Sequence, residues 1–356
     1  MKKISELDEN FIVETQIVRD NLQFYDAEEE PFRIYGLMRE NDRFCRIPEC
    51  VAKSVSESVT YLYTNTAGGR VRFVTNSPYI AISAEMDGVD KMPHMPLTGS
   101  AGFDLYYNEG ERDVYCGAFV PPYDMTNGYE SIFDFSGRIK RTITIHFPLY
   151  ANVKKLYIGL DKDSILERAQ DYRYEQPIVY YGSSITQGGC VSRPGNCYQN
   201  MITRWLDVNH INLGFSGSAM AEKEMCEYLA DMDMNMFVCD YDHNAPSVEH
   251  LRNTHLQLYR TIRAKQPELP IVLLSAPTIL LRPDMFRERR EVIKQTYQIA
   301  LSEGDCNVYF IDGAELFTGD DWDICTVDWV HPNDMGFYRM ATRIRNEIAK
   351  ILELAF

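Results

Sequence analysis

The hydrophobic periodicity of the chain changes near Pro177, and this change limits the folds that the sequence can adopt. Up to about residue 160 the apolar residues recur with a period of two, as in residues 71–75, 80–83 and 142–146. Turn-forming residues such as Asn127 and Gly128 separate these runs. Alternation between turns is typical of antiparallel strands that bury one face. We therefore predict an all-β first half, folded as a jelly-roll-like sandwich.

From residue 177 onward, short continuous apolar runs alternate with stretches of helical period. The runs that we predict as strands are residues 178–181, 211–213, 236–239, 271–274 and 308–311. Strands that are apolar on both faces and alternate with helices are typical of a parallel sheet covered by helices on both sides. We predict a doubly wound α/β domain with a five-stranded parallel sheet at 174–356, preceded by the β-sandwich domain at 1–173.

The composition excludes several classes of partner. The 356 residues are 45% hydrophobic, which is enough apolar material for two cores. A formal net charge of −16 disfavours binding to nucleic acid and to anionic membranes. No run reaches the roughly 18 apolar residues that a membrane helix needs. Two lysines near the N-terminus are followed by acidic residues instead of an apolar segment, so we expect no signal peptide and a cytoplasmic protein.

The cysteine pattern indicates neither a disulfide framework nor a zinc site. Nine cysteines are scattered along the chain without any C-x-x-C spacing. An odd number with such spacing is typical of free thiols in a reducing compartment. We therefore expect no structural metal.

Four polar segments follow predicted strands or lie near the C-terminus, and they carry the candidate chemistry. They are residues 182–189, 212–218, 240–246 and 328–333. Active sites of open parallel sheets lie where loops leave the carboxyl ends of the strands. The first segment alone is unspecific, because a Ser and Gly turn before a helix is more often a helix cap or a phosphate cradle. A P-loop is excluded because no lysine follows the glycines.

Taken together, the four segments carry Ser, Gly, Asn and His in an order that resembles the SGNH (GDSL-like) hydrolase superfamily. Residues 102–106 read Gly-Phe-Asp-Leu-Tyr and resemble the GxDLY signature of the N-terminal domain in one subgroup of that superfamily. The resemblance spans nearly the whole chain. It implies a serine esterase that uses neither a metal nor an organic cofactor.

The resemblance assigns roles to individual residues. Ser184 takes the place of the nucleophile, His331 that of the general base and Asp328 that of the group that orients His331. A serine hydroxyl needs such a base to take its proton, and a carboxylate on the other ring nitrogen fixes the imidazole tautomer. The oxyanion hole would comprise the backbone N–H groups of Ser184 and Gly217 and the side-chain amide of Asn244. Asn244 also fits a plain turn residue before a proline.

Two positions depart from the superfamily pattern, and one further residue has two interpretations. Ser183 stands where the name-giving motif has Asp, and Asp242 stands where the third segment usually has Gly. The Asp242 carboxylate could bind substrate by narrowing the acyl pocket, or it could hold its loop. Arg193 could bind a hydroxyl or carboxylate of the substrate, or pin its loop to a carboxylate, which is the role we favour.

The functional prediction is a carboxylic ester hydrolase that removes a small acyl group, acetyl, from a carbohydrate or related polyol. An acyltransferase with the same triad differs only in the nucleophile that reaches the acyl-enzyme, so the sequence leaves both open. A non-catalytic glycan-binding protein is a third hypothesis, which the intact Ser184, Asp328 and His331 oppose. A homo-oligomer is compatible with the sequence.

Overall fold

The computed structural model describes residues 6–8, 12–13, 16–110, 112–278 and 280–354. Most of the first nine residues, on which the expectation about a signal peptide rests, lies outside these ranges. The described chain contains an antiparallel β region followed by an α/β region, which confirms the predicted fold class. The predicted boundary between residues 173 and 174 falls between the last strand of the first region and the first strand of the second.

The first region is a sandwich of two antiparallel sheets, with short helices at its edges. Its strands are β1 (Leu22–Asp26), β2 (Arg33–Tyr35), β3 (Met38–Glu40), β4 (Arg43–Cys45), β5 (Arg70–Thr75), β6 (Tyr79–Met86), β7 (Phe103–Glu109), β8 (Arg112–Phe119), β9 (Gly128–Asp134), β10 (Arg141–His146), β11 (Val153–Asp161) and β12 (Leu166–Glu167). Its helices are α1 (Glu49–Val55), α2 (Glu57–Leu62) and α3 (Leu97–Ser100). One sheet has the order β1-β11-β6-β9, and the other has the order β12-β5-β10-β7-β8 with β2 added on β5.

The period-two pattern of the sequence sets the inner faces of these sheets. Phe73 on β5, Ile143 on β10 and Ile82 on β6 have no exposed surface and meet in one hydrophobic core. Their neighbours along each strand point away from this core, as alternation requires. The predicted runs 71–75, 80–83 and 142–146 all lie within strands, so these predictions are confirmed.

The second region is a five-stranded parallel sheet between two layers of helices. Its strands are β13 (Tyr174–Gly182), β14 (Val208–Gly214), β15 (Met236–Asp240), β16 (Ile271–Leu274) and β17 (Val308–Ile311), in the order β14-β13-β15-β16-β17. Its helices are α4 (Ser184–Gln187), α5 (Tyr198–Leu206), α6 (Lys223–Asp231), α7 (Val248–Lys265), α8 (Pro283–Ser302) and α9 (Asp334–Ile351). The strand order reverses beside β13, which is where doubly wound sheets bind their ligands.

Adjacent residues of β13 serve different cores, which explains its continuous apolar run. Val179 and Tyr181 pack with the layer formed by α6, α7 and α8. Ile178 and Tyr180 pack with α5 and α9 on the other side. The strand begins at Tyr174, four residues before the predicted run, because Tyr174 pairs with Val208 ahead of a register irregularity. Helices on both faces of the sheet therefore account for the second half of the sequence pattern.

None of the helices in the described ranges combines the length and the apolar character that a membrane span requires. The nine cysteines are free thiols, of which five are buried. Cys50 and Cys306 are exposed, so not every thiol is protected inside a core.

Candidate active site

The side chains of Ser184, His331 and Asp328 form a continuous hydrogen-bonded chain at the carboxyl end of β13. The Oγ atom of Ser184 lies 2.9 Å from Nε2 of His331. Nδ1 of the same ring lies 2.8 Å from Oδ2 of Asp328. The structure thus brings together the three residues that the sequence analysis assigns to a triad. These distances are within hydrogen-bond reach of a serine, a base and an orienting carboxylate.

The turn that presents Ser184 is tight because small residues line it. The Ser183 hydroxyl accepts a hydrogen bond from the backbone N–H of Ile185 and caps α4. A β-carbon at Gly182 would stand 2.1 Å from the carbonyl oxygen of Asp240, so only glycine fits there. The helix after Ser184 is a single turn that Gly188 ends at a φ of 105°. So short a helix offers free backbone N–H groups more than a macrodipole.

Asp328 fixes the geometry of His331 through both carboxylate oxygens. Oδ2 faces the imidazole, while Oδ1 accepts the backbone N–H groups of His331 at 2.7 Å and of Val330 at 3.1 Å. Burial would raise the pKa of Asp328, but these hydrogen bonds and the neighbouring imidazole hold it below its usual value. The carboxylate is therefore ionised near neutral pH and can stabilise the imidazolium that forms when His331 takes a proton.

Two backbone N–H groups near Ser184 are free to bind an oxyanion. In the described part of the chain, the N–H groups of Ser184 and Gly217 donate to no protein acceptor. The loop that carries Gly217 is held against α4, because the Ser216 N–H donates to Oε1 of Gln187 at 2.9 Å. Gly217 itself is exposed. Exposed N–H donors beside a serine hydroxyl are what an oxyanion hole requires.

The conformation of the backbone explains why a glycine stands at position 217. A β-carbon there would meet no protein atom within 4 Å. The backbone φ is 68°, however, a left-handed conformation that L side chains rarely adopt. The conformation of the loop, more than crowding by the protein, accounts for this glycine.

Asn244 lies next to the same loop. Its Nδ2 donates to the carbonyl oxygen of Phe215 at 2.8 Å, two residues before Gly217. An amide nitrogen carries two hydrogens, so this contact leaves one N–H for a substrate. Its backbone N–H closes a turn to Tyr241 at 2.9 Å, so Asn244 is also the turn residue that the sequence allowed. The second and third segments are therefore joined at the place where an oxyanion would bind.

Asp242 is buried and turns its carboxylate away from solvent. Oδ2 accepts the backbone N–H of Ala276 at 3.0 Å, across to the loop that follows β16. Burial raises the pKa of Asp242 to about 6. Arg289 from α8 donates to the carbonyl oxygens of Asp242 and Ala245 in the same loop. These contacts favour loop support over substrate binding for Asp242.

Arg193 is engaged by the N-terminal domain. Its guanidinium donates to Oδ2 of Asp104 at 2.9 Å and to the hydroxyl of Tyr106, two residues of the GxDLY segment. Only 18% of the Arg193 side chain is exposed, and Asp104 is fully buried. These contacts favour the interpretation that Arg193 holds its loop over the interpretation that it binds substrate. They also extend it, because Arg193 and its two acceptors belong to different domains.

The site also includes residues that the sequence analysis did not single out. The hydroxyl of Tyr150, from the N-terminal domain, donates to the carbonyl oxygen of Ser184 at 3.3 Å. The fully buried Arg46 donates to the carbonyl oxygens of Leu62, Asn212 and Gly214 and lies over the ring of Phe215. An arginine or a tyrosine between predicted strands resembles any surface residue in sequence, so no pattern could have marked these two.

His243 neighbours the site without joining the hydrogen-bonded chain. Burial lowers its pKa to about 3, and the charge of the Arg289 guanidinium acts in the same direction. The ring is therefore neutral at physiological pH and packs against Phe286 with centroids 4.5 Å apart. Among the described residues, no three His, Cys, Asp or Glu side chains converge as metal ligands would.

Comparisons with known proteins match both regions of the chain. A model of the GDSL-like lipase/acylhydrolase family matches residues 175–349. A model of the N-terminus of SGNH-hydrolase-type esterases, the GxDLY domain, matches residues 22–166. No curated protein sequence matches the chain.

Solved structures resemble the whole arrangement. A Bacteroides ovatus protein described as a GDSL-like lipase is 29% identical with a TM-score of 0.86, over 94% of this chain and 99% of that one. A salicylyl-acyltransferase from a tetracycline biosynthetic pathway is 19% identical with a TM-score of 0.72, over 94% and 98%. An acetyl xylan esterase from Butyrivibrio proteoclasticus is 12% identical with a TM-score of 0.58, over 93% and 99%. The last two share the fold at low sequence identity.

Proposed function

The chain belongs to the SGNH (GDSL-like) hydrolases with a GxDLY N-terminal domain, and we propose that this esterase removes acetyl groups from a carbohydrate or related polyol. The observation that carries the catalytic part is the chain of contacts from Ser184 through His331 to Asp328, at 2.9 and 2.8 Å. The carbohydrate part is supported by the acetyl xylan esterase of the same fold. Fold alone does not determine the substrate, so the series of esters described below tests the carbohydrate part separately.

The proposed reaction proceeds through an acyl-enzyme. Nε2 of His331 takes the proton of Ser184 as Oγ attacks the ester carbonyl carbon, and Asp328 stabilises the resulting imidazolium. The N–H groups of Ser184 and Gly217 and the amide of Asn244 bind the oxyanion. His331 then gives its proton to the leaving alcohol. In the second half, His331 takes a proton from water as the water oxygen attacks the acyl carbon. His331 then returns this proton to Oγ as the acyl–Oγ bond breaks, which releases the acid and free Ser184.

The catalytic part is tested by replacing the proposed nucleophile. Ser184→Ala should lower the rate on 4-nitrophenyl acetate by about three to six orders of magnitude, because no other hydroxyl can form the acyl-enzyme. The thermal unfolding temperature should stay near that of the wild type. Ser302→Ala, at an exposed serine at the end of α8, is the matched control and should keep full activity. Unchanged activity in Ser184→Ala would contradict the proposed mechanism.

The substrate is tested with two series of esters. Aryl esters of increasing acyl length should show the highest kcat/KM at acetate, and acetylated sugars should be cleaved in preference to long-chain esters. A preference for long acyl chains, or no cleavage of any acetylated sugar, would contradict the carbohydrate acetyl ester while leaving the mechanism intact.

An acyltransferase is the second candidate, favoured by one structural neighbour that is a salicylyl-acyltransferase. The acyl-enzyme is the same, and the two activities differ in whether water or an alcohol takes the acyl group. We expect free acetate to remain the main product when sugar alcohols are added at high concentration. Dominant formation of a new ester would favour the transferase.

A further inference from the structure

A cavity of about 490 Å³ lies at the junction of the two domains. We call it the interdomain cavity. It is directly beside residues 215–218, the loop that carries Gly217, which we call the oxyanion loop. One wall comes from the N-terminal domain. It includes Tyr61 on α2, Asn65 just after α2 and Asp90 after β6. The other wall includes Ser216 and Ser218, the two neighbours of Gly217. Its volume is in the range of about 300–1,000 Å³ that small-molecule sites occupy.

Tyr150 connects this cavity to the reaction centre. It lines the cavity, and its hydroxyl donates to the carbonyl oxygen of Ser184 at 3.3 Å. A β-carbon at Gly189 would stand 3.0 Å from that hydroxyl and 3.4 Å from Cδ2 of His331. The Tyr150 hydroxyl and the imidazole therefore lie against the same glycine. Through Tyr150 the cavity is therefore connected to Ser184 and to His331, the residue that must protonate the leaving alcohol.

The lining of the cavity is apolar over much of its area, and the charged groups that it contains are acidic. Glu57 and Asp90 contribute carboxylates, and Asn65, Ser216 and Ser218 contribute neutral hydrogen-bonding groups. Among the described residues that line it, none is Lys, Arg or His. Carboxylates accept hydrogen bonds from hydroxyl groups strongly, whereas they repel an anionic group.

Tyr61 adds a flat apolar surface to this wall. Its side chain is 64% exposed, although it belongs to the short helix α2. Its hydroxyl donates to Oδ2 of Asp90 at 2.8 Å, which fixes the two residues relative to each other. A ring held in place with its face open, next to a carboxylate, can contact the C–H face of a sugar while the carboxylate binds its hydroxyls.

We propose that the interdomain cavity binds the alcohol part of the ester and that it selects neutral, hydroxyl-rich groups such as a sugar ring. This proposal rests on the proposed esterase function and adds a role for the N-terminal domain. That domain supplies Tyr61, Asp90 and Tyr150, so the substrate would contact both domains at once. The 4-nitrophenyl group of an aryl acetate has no hydroxyls for these residues to bind, and as a good leaving group it depends less on such contacts.

The experiment compares two substrates in the full-length protein. Tyr61→Ala and Asp90→Asn should each lower kcat/KM on a mono-O-acetylated methyl glucoside by about tenfold, because each removes contacts to the sugar. On 4-nitrophenyl acetate the same variants should stay within about twofold of the wild type. Tyr61→Phe keeps the ring and should retain more activity on the sugar ester than Tyr61→Ala. Tyr338→Ala and Asp163→Asn, at exposed positions outside the cavity, are matched controls.

A charged substrate gives an independent readout. Replacing the glucoside with an O-acetylated methyl glucuronoside adds a carboxylate, which Glu57 and Asp90 should repel. We expect the kcat/KM of the wild type to be lower on this anionic ester than on the neutral glucoside. Asp90→Asn should reduce the ratio of these two kcat/KM values by about two- to threefold at low salt. A merely structural role for Asp90 would not change this ratio.

The outcomes separate the two proposals. If the wild type cleaves the acetylated glucoside but Tyr61→Ala and Asp90→Asn cleave it equally well, the cavity does not bind the alcohol. A parallel loss on both substrates would also overturn the cavity proposal, since it would indicate general damage to the site. If the wild type cleaves only 4-nitrophenyl acetate, the carbohydrate substrate itself is wrong and the cavity proposal fails with it.

Discussion

Nη1 of Arg193 and Oδ2 of Asp104 lie 2.9 Å apart, and this contact joins the loop after Ser184 to the GxDLY segment of the N-terminal domain. The same oxygen of Asp104 accepts the backbone N–H of Gly195 at 2.8 Å. Oδ1 lies 2.7 Å from Nδ1 of His146, whose pKa burial lowers, so that a neutral ring donates this hydrogen bond. The motif aspartate is therefore a structural anchor for residues 193–195.

The anchored loop also reaches the segment that carries His331. Ser192 donates to Asp334 through its hydroxyl at 2.5 Å and through its backbone N–H at 2.9 Å. Asp334 begins α9, three residues after His331. The loop at 190–196 thus lies between the N-terminal domain and the loop of the candidate general base. This loop therefore connects the N-terminal domain to the segment that carries His331.

Removing Arg193 should destabilise the protein substantially. Asp104 is fully buried, and Arg193→Ala would leave its carboxylate without the guanidinium that compensates its charge. We expect the free energy of unfolding to fall by about 2–4 kcal/mol, measured by urea denaturation. Lys140→Ala, which removes an exposed ion pair with Glu167, is the control and should cost about 1 kcal/mol or less. Equal effects of the two variants would contradict the anchoring role.

The sequence sufficed to predict both halves of the fold and the polar segments that meet at one edge of the sheet, and the reason is local. Ser184, Gly217 and Asn244 each follow a strand of the sheet, so strand order alone brings them to one edge. The contacts between the two domains could not be predicted from the sequence. They depend on how the β-sandwich domain packs against the α/β domain, and the periodicity of each domain carries no information about this. Arg46 and Tyr150 carry no periodic signal, and only the docked structure places them behind the oxyanion loop and Ser184.

Replacing Asp328 with asparagine should abolish most activity while preserving the loop. An asparagine oxygen can still accept the backbone N–H groups of Val330 and His331, but its amide cannot accept the ring N–H. The imidazole would then adopt the tautomer that cannot take the proton of Ser184, and kcat should fall by about 10³–10⁴. Asp323→Asn, at an exposed aspartate nearby in the same segment, is the control. Steady-state kinetics on 4-nitrophenyl acetate measures the difference, and a loss below tenfold would contradict the role of Asp328.

Asn244 has two candidate roles, binding the oxyanion and holding its turn, which a kinetic experiment can separate. If its amide binds the oxyanion, Asn244→Ala should lower kcat by about 10²–10³ with little change in KM. Asn244→Asp keeps the shape of the side chain but places an oxygen near the oxyanion, so its loss should be at least as large. If Asn244 only holds its turn, the unfolding temperature would fall while kcat stayed within about threefold of the wild type.

Asp242 should make the stability of the protein depend on pH. Burial raises its pKa to about 6, so the folded state favours the neutral carboxyl. Below the unfolded value near 3.8 the group is protonated in both states and costs nothing. As the pH rises through 6, the folded protein must ionise a buried group, and stability is lost. The pKa of the neighbouring buried Asp240 is also raised, by burial and by the charge of Asp242. Its titration therefore also lowers the stability of the folded protein as the pH rises.

The test is Asp242→Asn, which keeps an oxygen for the Ala276 N–H but removes the titration. Relative to the wild type, the variant should gain about 2 kcal/mol more stability at pH 8 than at pH 4.5, because most of the ionisation cost builds up between these two pH values. Comparing the two pH values cancels any fixed effect of the amide itself. Asp163→Asn, on an exposed turn, controls for the loss of one negative charge. A difference that does not change with pH would show that Asp242 is not the buried titrating group.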